Sequence, residues 1–369
     1  GNVNDVRVME GTNHEFRHRY WYDADNRLTH AFTSQDGYLW ERDARYFYYP
    51  HGPLMRCEKG EDNVQGEDYY YTLQGWIKGV NNTNSDTDLG QDGSGGGSNR
   101  NRWFAQDQMA YGLGYHSQDY HAIGGLSRGL MDPGSSFDAD IRGNAPVQGL
   151  YNGNIAYMIT HLPGLSEIEQ APTQAMVYQY DALHRIKQAR SYATASASNW
   201  NTSSNNHYNT DYNYDPNGNL QTLNRNALKQ GAGQPIDQLG YQYDLNKPNR
   251  LDYIVDGAGV QVNTDLATQA PNNYAYDAIG NLTKDKSEQI DTILWNFQNK
   301  IAKVRYEVSA NRENLVYSYG PDGTRLSKTK EYTNGLRETT LYIRDASGNI
   351  MATYDVVNER RQKPGETPD

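Results

Sequence analysis

The sequence predicts an all-β fold in which short β-hairpins follow one another along the chain. A motif of two aromatic residues at positions i and i+2, followed by a turn, recurs from one end of the sequence to the other. Tyrosine accounts for 31 of the 369 residues and glycine for 35, whereas phenylalanine and tryptophan number 6 each. Tyrosine suits the half-solvated face of a sheet and glycine suits tight turns, so the composition agrees with the motif.

Each copy of the motif has the pattern of a strand, a turn and a returning strand. In the copy that runs from Asp211 to Leu220, Tyr212 and Tyr214 share one strand face, because the side-chain period of a strand is two. Asp215 suits the first position of a type I turn, and Gly218 tolerates the left-handed backbone conformation that follows. The repetition of this pattern outweighs every other signal in the sequence.

The residues predicted to matter form two structural sets, one in the strands and one in the turns. Because the turn aspartates recur with similar neighbours, turn capping explains them better than catalysis, which requires one site. The aromatic face of the array comprises Tyr20, Tyr22, Tyr178, Tyr180, Tyr212, Tyr214, Tyr241, Tyr243, Tyr274, Tyr276, Tyr317 and Tyr319. The turns comprise Asp23, Asp181, Asp215, Gly218, Asp244, Asp277, Gly280, Gly323, Asp345 and Gly348, with a further degenerate copy at residues 295–301.

This motif resembles the tyrosine-aspartate (YD) repeat of the Rhs family, strongly over residues 178–355 and moderately over residues 16–80. Residues 48–54 also resemble segments of Rhs-repeat proteins of the Bacteroidota. In that family such arrays wind as a β-sheet spiral into a hollow shell, so the resemblance implies that this chain forms a strip of such a shell. Complete members add a core that in some cases cleaves itself and a variable, often toxic C-terminal domain. Neither signature occurs in this sequence, so neither activity is carried over.

The sequence divides into five predicted segments. Residues 1–80 form an N-terminal repeat-like β region, with strands predicted at 15–22, 37–42 and 46–49. Residues 81–102 form a loop rich in Gly, Asn, Ser and Asp, and residues 103–150 form an irregular insert with one candidate strand at 111–115. Residues 151–355 form the repeat array, with loops predicted at 193–206 and 229–238, and residues 356–369 form a polar tail.

The sequence predicts no catalytic residues, no cofactor and no metal site. Asp86, Asp88 and Asp92 lack the spacing and the terminal glutamate of a calcium loop, so a solvated acidic loop is the simpler interpretation. His14 and His18 are four residues apart, a spacing that suits a shared metal on a helix but not on the predicted strand. Motifs for activated nucleophiles, phosphate-binding glycine loops and paired cysteines are absent from the sequence.

Charge and hydropathy restrict the partners of the chain. It carries 34 basic and 45 acidic residues, a formal charge of −11, which disfavours nucleic acid as a general partner. Cys57 is the single cysteine, so no internal disulfide forms. No apolar run approaches the roughly 18 residues of a membrane-spanning helix, and no signal peptide is recognisable. We expect a bacterial extracellular or cell-surface location, as a fragment of a longer protein without its own signal peptide.

Three functional hypotheses follow. The first is a non-enzymatic wall segment of a secreted or surface Rhs protein, whose partner is another segment of the same parent polypeptide, such as an enclosed toxin or effector. The second is an adhesion module that binds glycans or surface proteins through exposed Tyr and Trp, and the exposure of pairs such as Tyr274 and Tyr276 discriminates it from the first. The third is an enzyme in the insert that uses His116, Asp119 and His121.

Overall fold

The computed structural model is an antiparallel β protein. It describes residues 2–81, 83, 90, 92–93, 101–117, 119–120, 149–165, 173–196, 199–200, 206–229, 232–258, 266–345 and 348–358. Strands account for 55% of the structure, and the described residues contain two short 3-10 helices but no α-helix. None of these helices is long and apolar enough to cross a membrane. The predicted all-β class is confirmed.

Twenty-four strands make up the described structure. The first twelve are β1 (Asp5–Val8), β2 (Phe16–Tyr22), β3 (Leu28–Ser34), β4 (Glu41–Tyr48), β5 (Leu54–Lys59), β6 (Gln65–Tyr71), β7 (Ile77–Val80), β8 (Ala110–Gly114), β9 (Tyr157–His161), β10 (Thr173–Tyr180), β11 (Ile186–Ser196) and β12 (Asn199–Trp200). The others are β13 (Thr210–Tyr214), β14 (Leu220–Lys229), β15 (Ala232–Asp244), β16 (Lys247–Asp256), β17 (Tyr274–Tyr276), β18 (Leu282–Asp285), β19 (Ile290–Trp295), β20 (Ile301–Tyr306), β21 (Asn314–Tyr319), β22 (Arg325–Glu331), β23 (Arg337–Arg344) and β24 (Ile350–Asn358).

The chain divides into two compact units. The first comprises residues 1–213 and 223–236, and the second comprises residues 214–222 and 237–369. In the first unit, strands β1 to β11 pair in chain order, and β11 also pairs with β12 and β13. In the second unit, β15 pairs with β16, and β17 to β24 form an eight-stranded sheet in chain order. Neither of the two sheets is closed.

The apolar core of the first unit is small and is centred on β9 and β10. Both strands alternate buried and half-buried residues, the pattern of a sheet with one covered face. Ile159 is completely buried opposite Ala175, and Tyr157 lies opposite Val177. In the second unit, Ile293 and Val304 are buried register partners. Most other strand residues are only half-buried, as the tyrosine-rich composition predicts.

The structure differs from the sequence predictions in three places. Residues 35–39 form a bend rather than part of a strand, and β4 begins at Glu41. The Asp36 carboxylate accepts hydrogen bonds from the backbone N–H groups of Tyr38 and Leu39, which turns the chain there. The predicted loop at 229–238 is also wrong, because β15 begins at Ala232. The predicted loop at 193–206 is wrong in part, because β11 continues to Ser196 and β12 lies at Asn199–Trp200. In the insert, β8 coincides with the candidate strand at 111–115. Residues 121–148, most of residues 81–102 and residues 359–369 lie outside the described part of the chain.

Candidate functional site

The turn aspartates bind the backbone of their own turns. The Asp277 Oδ1 atom accepts hydrogen bonds from the backbone N–H groups of Ile279 and Asn281 at 3.0 and 2.8 Å. Asp23 and Asp181 accept from the equivalent two positions, and Asp215 and Asp345 accept from the second of them. Asp244 accepts from Asn246 in a turn of different length. These carboxylates fix the backbone of the turn.

The second carboxylate oxygen of these turns binds the side chain four residues later, which is either arginine or asparagine. Asp23 and Asp181 bind the Nε atoms of Arg27 and Arg185 at 2.8 and 2.6 Å. Asp215, Asp277 and Asp345 instead accept from asparagine side chains at distances between 2.8 and 3.0 Å, namely from Asn219, Asn281 and Asn349. Both oxygens of each of these five carboxylates are therefore hydrogen-bonded within their own turn, an arrangement that does not suit acid–base catalysis.

The hydrogen bonds change the acidity of the turn aspartates. Burial acts to raise the pKa of Asp277, but the backbone and side-chain hydrogen bonds from Asn281 outweigh it, and the pKa lies below its ordinary value. The same opposition lowers the pKa of Asp181 and Asp215, and for Asp23 the backbone hydrogen bond from Arg27 is the largest cause of a lowered pKa. These carboxylates are therefore ionised at neutral pH.

Glycine occupies the turn position where the backbone enters the left-handed region. Gly218 and Gly280 have φ angles of 92° and 97°, and the N–H of Gly218 donates to the Asp215 carbonyl at 3.0 Å. Gly323 and Gly348 have φ angles of 78° and 90°. Asparagine adopts the same region at Asn299, in the degenerate copy, with a φ of 55°. Glycine and asparagine are the residues that tolerate this conformation best.

The second aromatic residue of most turns is hydrogen-bonded to the hairpin before it. The Tyr276 hydroxyl donates to the Leu251 carbonyl at 2.9 Å, and the Tyr319 hydroxyl donates to the Ile301 carbonyl at 2.9 Å. We call this contact the latch. Further latches in the second unit run from Tyr243 to Leu220 and from Trp295 to Leu282; those in the first unit run from Tyr22 to Val3, Tyr48 to Leu28, Tyr115 to Ile77 and Tyr180 to Ile155.

The latch acceptor is a main-chain carbonyl that lies, in most latches, at or near the start of a strand; the exception is Leu251, the fifth residue of β16. The acceptor is the first residue of its strand for Leu28, Leu220, Leu282 and Ile301. The donor side chain therefore reaches from its own turn across to the adjacent strand, where it satisfies a carbonyl near the strand end. At the last turn, Arg344 takes the place of the aromatic residue, and its Nε atom donates to the Arg325 carbonyl at 3.3 Å.

The twelve tyrosines of the predicted aromatic face are all half-buried. The residue between the two tyrosines is exposed in most copies, as Asn213 and Ala275 show, so the two strand faces have different environments. Burial raises the pKa of Tyr276 and Tyr178 above the ordinary value for a phenol. Tyr276 and Tyr178 are therefore neutral phenols at neutral pH.

The predicted acidic loop and the insert contribute buried ion pairs rather than an exposed cluster of acids and bases. Asp92, in the predicted acidic loop, is 1% exposed and lies 2.7 Å from Arg56, which also binds Glu58 and Asp68. Asp86 and Asp88 lie outside the described residues. Asp119 binds the Lys78 ammonium group at 2.7 Å and the Tyr115 N–H at 2.7 Å. These charges are paired within the protein, as buried charges must be.

The histidines singled out in the sequence lie in separate places. His14 is exposed in a turn, whereas His18 lies in β2 between the rings of Phe16 and Tyr20. His116 stacks on Tyr151 with ring centroids 4.3 Å apart, and His121 lies outside the described residues. In the described ranges, no group of three or more His, Cys, Asp or Glu side chains is arranged to hold a metal ion.

Several latch residues were not identified from the sequence. Tyr48 and Tyr115 donate like the second tyrosine of a repeat, although neither precedes an aspartate. Trp295 was noted only as part of a degenerate copy, yet its indole Nε1 atom makes a latch of 2.7 Å. An aromatic donor at the end of a strand, followed by any turn, is the signal that would have found all three.

The fold and the latches define this protein as an antiparallel hairpin-repeat protein in which an aromatic side chain of most hairpins is hydrogen-bonded to the hairpin before it. Among solved structures, it is similar to a chain of the Photorhabdus luminescens Tc holotoxin pore with a mutated TccC3, at 16% identity and a TM-score of 0.53, over 98% of this chain and 16% of that one. It is also similar to TcdB2–TccC3 without its hypervariable C-terminal region, at 14% identity and a TM-score of 0.48, over 89% and 13%. No protein-family model and no curated protein matches the chain.

The similarity to the holotoxin chain shows the fold. This chain spans 16% of the length of that chain and 13% of the length of the TcdB2–TccC3 chain. The repeat fold predicted from the sequence is therefore one that a much larger Tc toxin chain also contains.

Proposed function

We propose that this chain is a non-catalytic wall segment of a secreted or cell-surface protein of the Rhs type, and that the wall encloses or presents another segment of the parent polypeptide, such as a toxin or effector. The row of latched turns carries this proposal. The repeated Tyr and Asp residues, which are the most conspicuous chemical groups of the sequence, bind the main chain of their own or the preceding hairpin. Their repetition serves continuity of the sheet.

Two further observations support a wall. The fold recurs within a much longer Tc toxin chain, of which this chain spans 16%. The formal charge of −11 disfavours nucleic acid as a partner, and a wall segment requires no such partner. An extracellular or surface location and an Rhs-type parent belong to the same proposal.

Limited proteolysis of the parent polypeptide tests enclosure. If the array is a wall, a non-repeat segment of the parent resists protease as long as the array is intact. The double variant Tyr243→Phe/Tyr276→Phe removes two latches from the second unit, and we expect this segment to be cleaved faster in that variant, as followed by mass spectrometry. The matched control is Tyr38→Phe, because Tyr38 is 89% exposed and lies outside the latches.

Two results would contradict enclosure by a latched wall. The first is free cleavage of every non-repeat segment in the wild-type parent while the array itself stays intact. The second is unchanged protection in the double variant after its lower stability has been verified. The first result would favour presentation or adhesion over enclosure, and the second would separate the latches from any protective role.

The alternative is an adhesion module that uses the repeated tyrosines to bind glycans or surface proteins. Such a module requires an exposed ladder of rings. In the pairs chosen to discriminate the two functions, Tyr212, Tyr214, Tyr274 and Tyr276 are half-buried. The Tyr276 hydroxyl is used in a latch, and the Tyr274 hydroxyl accepts a hydrogen bond from Gln269 at 2.9 Å. These observations favour the wall over adhesion through the repeated tyrosines.

A further inference from the structure

Five arginines lie on one face of strands β2, β4 and β5 in the first unit. Directly opposite residues of antiparallel strands share a face. Phe32 lies opposite both Arg19 and Arg42, His30 lies opposite Arg45, and Phe47 lies opposite Arg56. Arg17 is two residues from Arg19 in the same strand and therefore shares its face. This face carries five guanidinium groups in a chain whose net charge is negative, together with the carboxylates of Asp5, Glu58 and Asp68.

Three of these arginines are neutralised by carboxylates. Arg17 binds Glu15 at 2.5 Å, Arg19 binds Asp5 at 3.1 Å, and Arg56 binds Glu58, Asp68 and Asp92. Paired guanidinium groups of this kind complete the charge balance of the fold. They offer little to an external ligand.

Arg42 and Arg45 differ, because neither makes an ion pair with a carboxylate of the described residues. The Arg42 guanidinium donates only to the neutral main-chain carbonyls of Gly60 and Glu61 at 3.3 and 3.4 Å. Its buried Nε atom has no hydrogen-bond acceptor in the described structure. The Arg45 guanidinium lies 4.6 Å from the ring centroid of Phe47. Neither guanidinium group therefore has a direct carboxylate partner, although the Glu61 carboxylate accepts a hydrogen bond from the Arg42 backbone N–H at 3.4 Å.

The carboxylate opposite Arg45 belongs to Glu58, and it is used elsewhere. Its Oε1 atom lies 3.3 Å from Arg56 Nε, within the buried ion-pair network. The pKa of His30 lies below its ordinary value. Burial is the largest cause, the charges of Arg45 and Arg42 act in the same direction, and Glu58 has a weaker opposing effect.

An aromatic cluster borders the two arginines. The Trp21 ring lies 4.6 Å from Phe32 and 5.2 Å from His30, and the His30 and Phe32 rings stack 5.8 Å apart. Trp21 is 52% exposed, which is unusual for the largest aromatic side chain. We name the surface formed by Trp21, His30, Phe32, Arg42, Arg45 and Phe47 the cationic patch.

We propose that the cationic patch binds a uronic acid residue of an anionic polysaccharide. Guanidinium groups bind carboxylates through charge-assisted, geometrically directed hydrogen bonds. A sugar ring presents an apolar face of C–H groups that packs against an aromatic ring, and a uronic acid holds its carboxylate rigidly on that ring. An acidic peptide side chain would use the two arginines but would leave the exposed Trp21 uncovered. This binding goes beyond the proposed wall function, because the repeated tyrosines take no part in it.

The test is isothermal titration calorimetry, in which the intact chain is titrated with a polyuronic acid, oligogalacturonate. The comparison ligands are dextran, which has sugar rings without carboxylates, and poly-L-glutamate, which has carboxylates without sugar rings. At about 0.1 M salt the Debye length is about 10 Å, so the distant negative charges of the chain are screened. We expect measurable binding of oligogalacturonate only, and weaker binding as the salt concentration rises.

The variant Arg42→Gln/Arg45→Gln is expected to weaken oligogalacturonate binding by on the order of tenfold or more, because two charge-assisted contacts are lost. The matched control is Arg19→Gln, which removes a neutralised arginine from the same face and leaves binding within about twofold. Thermal unfolding of each variant verifies that the fold is retained, and Trp21→Leu gives a second, uncharged variant that also weakens binding.

Three results would overturn the proposal. One is absence of oligogalacturonate binding to the folded wild-type chain. Another is equal loss of binding in Arg19→Gln and in the double variant, which would indicate general charge attraction. The third is equal or tighter binding of poly-L-glutamate, which would identify an acidic peptide as the ligand. None of these results bears on protease protection in the parent polypeptide, so this proposal and the wall proposal fail independently.

Discussion

The hydroxyl of Tyr276 connects two hairpins through one hydrogen bond to the Leu251 carbonyl. Its ring is half-buried beside the same strand, so the side chain contributes packing as well as the latch. A phenylalanine at this position keeps the packing and removes only the donor. The latch can therefore be measured by itself.

We expect Tyr276→Phe to lower the free energy of unfolding by about 1 kcal/mol, because a hydrogen bond of ordinary strength is lost and a carbonyl loses its partner. Urea denaturation of the purified chain measures this change. Tyr38→Phe, at an exposed tyrosine in a bend, should leave the midpoint unchanged. A stability of Tyr276→Phe equal to that of the wild type would show that water replaces the latch at no cost.

Asp277 provides a test of the turn carboxylates through pH. Its pKa is lower in the folded chain than in the unfolded one, so the folded state binds this proton less tightly. The resulting stability is complete above the unfolded-state pKa of about 3.9 and is lost as the pH falls through the lower folded-state pKa. Asp23, Asp181 and Asp215 have the same sign and add to the effect.

We expect Asp277→Asn to keep the turn while reducing the loss of stability in acid. Asn296 shows that an asparagine caps such a turn, since its Oδ1 atom accepts from the N–H groups of Gln298 and Lys300 at 2.9 and 3.0 Å. The measurement is the urea midpoint of the wild type and the variant between pH 6 and pH 2. An identical pH dependence of the two proteins would mean that Asp277 titrates with the same pKa in both states.

At the scale of strands, close packing of β8 against β9 depends on a residue without a side chain. Gly114 lies opposite Tyr157 in the register of these strands, and a Cβ atom on Gly114 would overlap the Tyr157 ring. Tyr157 is 2% exposed and belongs to the core of the first unit with Ile159 and Val177. The glycine therefore makes room for one of the two tyrosines of that core.

We expect Gly114→Ala to destabilise the chain by about 1–3 kcal/mol, since a displaced core ring costs more than the roughly 0.5–1 kcal/mol that alanine gains over glycine in backbone entropy. Gly164→Ala is the matched control, because nothing lies within 4 Å of the added Cβ atom and the φ angle is ordinary. Thermal unfolding compares the two. Equal stability of both variants would show that β9 shifts to accept the methyl group.

The sequence was sufficient to predict the hairpins because the motif places aromatic residues and turn residues at fixed local offsets. Local offsets also explain two of the errors. Residues 37–42 have the aromatic pattern of a strand, but the Asp36 carboxylate captures two backbone N–H groups and bends the chain. Residues 232–238 read as a loop because they include glycine, proline and polar residues, yet pairing with neighbouring strands overrides that propensity.

Contacts between distant residues set the limit of prediction for the site. The motif identifies Tyr276 as a face residue, but its acceptor is a carbonyl 25 residues earlier, and every residue has a carbonyl. The hydrogen bonds of buried side-chain amides are equally difficult to predict from the sequence. Asn81 accepts the N–H of Asp68 at 2.8 Å and donates to the Met109 carbonyl at 2.9 Å, so that its side chain bridges two strands. The unpaired arginines of the cationic patch emerged only once strand register was known.

At the scale of the whole molecule, a long open sheet must be kept from pairing with other sheets. Strand edges expose hydrogen-bonding groups, and repulsion between like charges is one way to prevent association. The formal charge of −11 at pH 7 provides such repulsion, and the sequence pI is about 5.3. We therefore expect net charge to limit the association of exposed sheet edges.

We expect the purified chain to self-associate as the pH approaches about 5.3 and to dissociate when the pH is returned to 7, because the net repulsion vanishes near the pI. Light scattering across pH 4.5–7.5 follows the particle mass. Circular dichroism at each pH verifies that the strands remain folded. A constant mass across the pI would show that the sheet edges are protected by structure instead.

The use of a main-chain carbonyl as the latch acceptor has a consequence for how such a chain evolves. An acceptor that every amino acid possesses places no demand on the side chain of the preceding hairpin, and the acceptor residues include Val3, Leu28 and Ile301. Any hairpin that ends in a suitable aromatic donor can therefore follow any other. Gene duplication, deletion or exchange of single hairpins would leave every junction chemically compatible, so the length of the array can change without redesign of its joints.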